Sequence, residues 1–150
     1  MSSTVRDLFV RRVMSLRETD PALFYMYGRR DPTPDLTSDG YARVSHEFVE
    51  SVTFDVIHYG VIGNTLSAAV KCTVVLNVDG KRIVSEEVGE ASTAEAKVLE
   101  RNAALRFAAT RARKRALAHA MGIDRSTIIK VVGGKSIAVG EDYDVPFDDS

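Results

Sequence analysis

The chain has 150 residues, 45% of them hydrophobic and 27% charged, with a net charge of −1. That composition fits one soluble domain with room for a real core. No run is long enough for a membrane span, and the N-terminus has no apolar signal-peptide core. Cys72 is the single cysteine, so no internal disulfide can form, which agrees with a reducing cytoplasm. The near-zero charge hides an asymmetry. Glu141, Asp142, Asp144, Asp148 and Asp149 fall in the last ten residues with no Lys or Arg; without those five acids the body would carry +4 rather than −1. A basic body with an acidic tail points weakly to a polyanionic partner.

A first helix follows Ser3, a candidate cap. Val5, Leu8, Phe9, Val13 and Leu16 recur at helical spacing, and the pattern breaks at Asp20-Pro21. "LFYMY" (23–27) is short and β-prone. "GRRDPTPD" (28–35) reads as a loop, and "YARVSHEFVESV" (41–52) as a short helix. "TFDVIHYGVI" (53–62) is rich in β-branched and aromatic residues, and Gly63-Asn64 makes a turn after it. Val70, Cys72, Val74, Leu76 and Val78 then alternate with polar positions, as a strand with one buried face requires. Asp79-Gly80 is a hairpin signal, and the return strand covers roughly 81–89.

Ser92-Thr93-Ala94-Glu95 has the form of a capping box, and Gly122 is placed to stop a helix. The expectation is one helix of about 29 residues, roughly 43 Å long. Two β-prone runs around Gly133-Gly134 predict a small hairpin, and residues 141–150 an acidic disordered tail. The fold class expected is therefore α+β. A three-stranded antiparallel meander precedes one long helix, with an N-terminal helix and a small C-terminal hairpin. The domain spans 1–140, with its core at about 53–122.

At 100° per residue, Lys97, Arg101, Arg111 and Arg115 fall within about 80° of one another, with Ala104 and Ala108 between them. Val98, Leu105, Ala109, Ala112, Ala116 and Ala120 form an adjoining small-residue face suited to close packing on strands. From Arg101 to Arg115 there are six basic residues and no acid. Such a row suits a phosphate backbone; the plainer alternative is a solvated face whose arginines pair with Glu95, Glu100 or a second subunit. Lys71, Lys81 and Arg82 could extend a basic surface, although a solvated hairpin tip explains them equally; Tyr59 could stack on bases, but a tyrosine at a strand end is more often partly buried packing.

"VVLNVDGKRIVSEEVGEAS" (74–92) followed by "AATRARKRALAHAMG" (108–122) resembles the radiation-repair single-strand annealing superfamily of the Rad fifty-two type, with its bacterial and phage relatives. The ordered pieces are Asp79-Gly80, Val88-Gly89 and Ala108 through Leu117, and the match covers about 53–122. The resemblance implies a β-β-β-α core, a ring or helical oligomer, and single-stranded DNA held in a basic groove. Its members anneal complementary strands without nucleotide hydrolysis. The family's Lys-Arg pair maps onto Lys114 and Arg115. Arg111 stands where an acid is common, and Ala118-His119 where a further base often follows. The expected DNA contacts are Lys114 and Arg115, then Arg111, Arg101 and Lys97. Alanine at both Lys114 and Arg115 should abolish strand binding and leave the oligomer intact. The expected partners are single-stranded DNA and further copies of the chain, at a cytoplasmic, nucleoid-associated location, with no membrane. The rival reading is an α+β oligomeric structural or interaction module without nucleic-acid binding.

No enzyme is expected. His46, His58 and His119 are scattered, no metal-ligand spacing exists, and no cofactor is called for. "VVGGKS" (131–136) fails as a phosphate loop because Ile129 stands where glycine is needed, and "GVIG" (60–63) reads as a turn. "YDVPFDD" (143–149) resembles the acidic tip of bacterial single-strand binding proteins, but Phe147 is not terminal. The tail is more simply a solubilising segment. It leaves open contact with a single-strand binding protein or another repair protein, or competition with DNA for the basic groove.

Overall fold

The structure is a computed structural model that describes residues 3–28 and 30–132. Its elements are α1 (Ser3–Thr19), β1 (Phe24–Tyr27), β2 (Thr33–Leu36), α2 (Ser38–Ser45), β3 (Val49–Ile62), β4 (Thr65–Val78), β5 (Lys81–Ser92), α3 (Ala96–Arg101), α4 (Ala104–Met121) and α5 (Arg125–Val132). The architecture is α+β. An antiparallel sheet in the order β3-β4-β5 packs against α4, and a small β1-β2 hairpin lies apart from it.

The meander follows from the alternation in β4. Val70, Cys72, Val74 and Leu76 are buried, while Lys71, Thr73 and Val75 are half-covered. Asp79 and Gly80 both have positive φ, which matches the right-handed twist of the two strands they join. Opposite Val70 on β5 lies Gly89, and α4 crosses at that point. A Cβ on Gly89 would fall inside the backbone of Ala108 and Ala112, so helix and strand meet as closely as two main chains can.

Ala108, Ala112 and Ala116 are fully buried in this contact. The opposite side of α4 is buried too. Leu117, Ala120 and Met121 join Phe9 and Val13 of α1, Phe24, Leu36, Tyr41, Val44, Ile128 and Val132 in one apolar cluster. Thus α4 is a central helix between the sheet and a layer of helices and hairpin, which explains its alanine content on more than one face.

Five expectations need correction. The segment 93–122 is two helices. Asn102 takes the left-handed conformation (φ 50°) and Ala103 is non-helical, so α3 stops and α4 restarts in a new direction. Half of the box forms, in the turn before α3: Glu95 Oε2 accepts from the Ser92 amide, while Ser92 Oγ accepts from the Ala94 amide rather than from Glu95. Second, Ala104 and Ala108 do not separate exposed basic groups; both are buried. Third, part of the expected 28–35 loop is strand β2. Fourth, residues 125–132 form α5 where a hairpin strand was expected, and the partner strand, the phosphate-loop candidate beyond Val132 and the acidic tail lie outside the described residues. Last, the helix expected over 41–52 is shorter and earlier: α2 covers Ser38–Ser45, and residues 49–52 already belong to β3, while the N-terminal helix, a strand within 23–27 and the three-strand meander are where expected.

Two caps hold α4 and α5 end to end. Gly122 (φ 69°) donates to His119 and Ile123 donates to Ala118, a Schellman ending. Asp124 then caps α5: its Oδ1 accepts from the Thr127 amide at 3.0 Å and from the Ser126 hydroxyl at 2.8 Å. These bonds, the Ser126 one first, hold the Asp124 carboxyl below its ordinary pKa.

Candidate nucleic-acid interface

The cations expected to line one stripe are divided by the fold. Lys97 and Arg101 belong to α3, across the Asn102 break, and do not continue the face of α4. Lys97 is half-buried and Arg101 exposed. Arg111 is 3% exposed and Lys114 4%, so neither projects into solvent. Arg115 is exposed.

Arg111 sits in a fork with Glu95. Its Nη1 and Nη2 donate to the two carboxylate oxygens at 2.8 and 2.7 Å, and Nη1 also reaches the Glu90 carbonyl at 2.9 Å. Arg115 Nη1 donates to the Val88 carbonyl at 2.9 Å. Both carbonyls belong to β5, so guanidinium groups of α4 run along that edge strand.

Lys114 enters a buried polar knot. Its Nζ lies 3.3 Å from Asp35 Oδ2, donates to the Tyr25 hydroxyl at 3.2 Å, and faces the rings of Tyr25 and Tyr41 at 5.0 and 5.8 Å. Asp35 Oδ1 accepts from the Tyr41 hydroxyl at 2.7 Å and from the Leu36 amide at 2.8 Å. Burial first, and then the Asp35 carboxylate, push the Tyr41 hydroxyl far up, so it stays a donor. The knot ties β1, β2 and α2 to the middle of α4.

An open cleft of about 820 Å³ lies beside this knot. The hairpin contributes Tyr25, Tyr27 and Asp35 to its wall, α4 contributes Arg111 and Arg115, and α5 contributes Arg125. His58 and Ser67 of the sheet also line it, 2.9 Å apart from Nε2 to Oγ. That His–Ser pair was not visible in the sequence. No acid orients the imidazole among the described residues, and no group of His, Cys, Asp and Glu there could hold a metal ion. Arg125 is exposed; its guanidinium lies 4.2 Å from the centre of the Tyr27 ring, and Thr33 Oγ1 accepts from Nε at 3.1 Å and Nη2 at 2.6 Å.

The remaining candidates are dispersed. Lys71 pairs with Glu86 and Arg82 with Glu50. Lys81 is exposed at the β4–β5 turn, and Tyr59 is exposed on β3. Sequence reasoning missed Tyr25, Tyr27 and Arg125. The alternation of tyrosines within "FYMY" was the available cue for the first two, and the Asp-x-x-Thr cap at 124–127 for the third.

Neither family models, nor curated proteins, nor solved structures give a significant match to this chain. No helix among the described residues is long and apolar enough to cross a membrane.

Proposed function

We propose that this chain binds and anneals single-stranded DNA without nucleotide hydrolysis, as a homo-oligomer. The observation that carries the reading is the cleft. It brings Arg115, Arg125 and the half-buried Tyr27 into one open groove, with Tyr25 buried in its wall: guanidiniums for an extended polyanion and a ring for unpaired bases. Lys114 and Arg111 serve this groove from inside: each fixes a wall through a carboxylate, the buried Asp35 in the hairpin and the partly buried Glu95 before α3.

Self-assembly is supported by β3. Among the described residues it pairs only with β4, so its other edge finds no strand there for the backbone donors and acceptors over much of its 14 residues. Phe54, Val56, Tyr59 and Val61 lie exposed along it, Val61 at 70%. A second copy brings the same free edge and the same apolar row, and so satisfies both at once. Many copies multiply weak phosphate contacts into useful affinity.

A second reading is favoured by the internal pairing of Lys114 and Arg111. With those charges neutralised, the chain could be an oligomeric interaction module with no strand to bind. Fluorescence polarisation separates the two, using a labelled single strand and a matched duplex across a salt series, with particle mass read on the same sample. The annealing reading expects a large particle that prefers the single strand and loses affinity steeply as salt rises. A large particle that binds neither probe at low salt leaves the interaction module.

A further inference from the structure

We infer that Arg125 and Tyr27 form a nucleotide subsite on the lip of the cleft, where the guanidinium takes a phosphate and its outer face stacks on an unpaired base. The inference rests on the single-strand reading and names the contact that makes it selective.

Three observations carry it. The first is charge. Arg125 has no carboxylate partner among the described residues, and its two bonded nitrogens both go to a neutral hydroxyl, that of Thr33. Nη1 makes no hydrogen bond among those residues. Among the described residues the positive charge of this group is therefore not paired with a carboxylate, unlike that of Arg111 on Glu95 or Lys114 on Asp35.

The second is shape. The guanidinium carbon lies 4.2 Å from the centre of the Tyr27 ring, and Arg125 is exposed, so the group rests against the ring while solvent reaches the rest of it. A planar cation with a free N–H edge can hold a phosphate oxygen and a base face together, which an ammonium cannot. Bases in a duplex have their faces covered by neighbours, so this pair distinguishes an unpaired strand.

The third is rigidity. Tyr27 ends β1, and the Lys114–Asp35 knot anchors its hairpin. Arg125 opens α5, directly after the Asp124 cap and the Gly122 stop. Both partners are held before any ligand arrives, so little ordering is left for binding to oppose.

The test uses the full chain, a labelled oligothymidylate and a matched duplex, with Arg125→Ala, Arg125→Lys and Tyr27→Leu compared at equal particle mass. Arg125→Ala is expected to weaken oligothymidylate binding about tenfold and to lower the salt slope by about one, with a smaller effect on the duplex. Arg125→Lys should recover the slope and not the affinity, and Tyr27→Leu should lose part of the affinity with the slope unchanged. Circular dichroism melts should stay close to the parent, since Arg125 is exposed. Arg125→Ala binding like the parent overturns the subsite while the single-strand reading stands. Full recovery by Arg125→Lys overturns the stacking role. A parent protein that binds neither probe removes the single-strand reading, and the subsite goes with it.

Discussion

Lys114 shows how a basic residue can belong to a binding groove without touching its ligand. Its ammonium lies between Asp35 and two tyrosine rings, and it is the link from α4 to the hairpin wall. Removing one member of a buried pair leaves the other charge uncompensated, at a cost of about 3–5 kcal/mol. Lys114→Ala should therefore lower the unfolding free energy read from denaturant titration by that much, and the joint change Lys114→Met with Asp35→Asn should recover most of it. If Lys114→Ala melts like the parent, the knot is not holding the hairpin. The alanine pair at 114 and 115 is thus a poor probe of DNA contact, because lost binding would report a displaced wall as readily as a missing phosphate ligand.

The same residue explains a limit of reading charge from one helix. The run from Arg101 to Arg115 contains no acid, so its positions suggest an open basic face. The neutralising groups come from elsewhere in the chain: Asp35 from β2 and Glu95 from the turn before α3. Glu95 could be named as a partner because it lies close before the basic run, whereas a pair as distant as Lys114 with Asp35 leaves no periodic trace in the helix.

Among the elements, α5 depends most clearly on one side chain. Asp124 accepts from the Thr127 amide and two hydroxyls, and these bonds hold its carboxyl below the ordinary value of 3.8. A depressed folded pKa means stability that is fully present above 3.8 and is lost as pH falls through the folded value. Asp124→Ala should cost about 1 kcal/mol at neutral pH. The gap between parent and variant, followed by chemical denaturation, should narrow on acidification; a gap that stays constant would show that the capping bonds are not its source.

Element type was legible where a local pattern had one solution. Alternation through Val70–Val78 and the Asp79-Gly80 turn led directly to the meander, and β4 and β5 pair in that register. The break at Asn102 was not legible, because good helix formers stand on either side, Leu99-Glu100-Arg101 before and Ala103-Ala104 after, and the single cue is an asparagine that tolerates the left-handed region. In α5 the β-branched run of Ile128, Ile129, Val131 and Val132 suggests a strand. Packing of Ile128 and Val132 into the core under the Asp124 cap overrides it.

On the scale of the whole molecule, the two edges of the sheet differ. Beside β5 stand the guanidiniums of Arg111 and Arg115, bonded to its carbonyls; beside β3 no described strand stands, and its apolar side chains are open. Charge placed on an edge strand opposes pairing with another copy. Val56→Lys with Val61→Lys should shift the particle toward single chains in light scattering, with strand affinity falling as avidity is lost. Because both positions are more than half exposed, the fold should survive. An unchanged particle mass would move the subunit contact away from β3.

Cys72 occupies the middle of β4 with no exposed surface, beneath α4, and burial pushes its thiol up to about 11. A sulfur so placed is both shut away and protonated at neutral pH, so alkylating reagents reach it only when helix and sheet part. The chain thereby carries its own clock. The rate at which its one thiol is capped measures how often the central layer opens, with no added label.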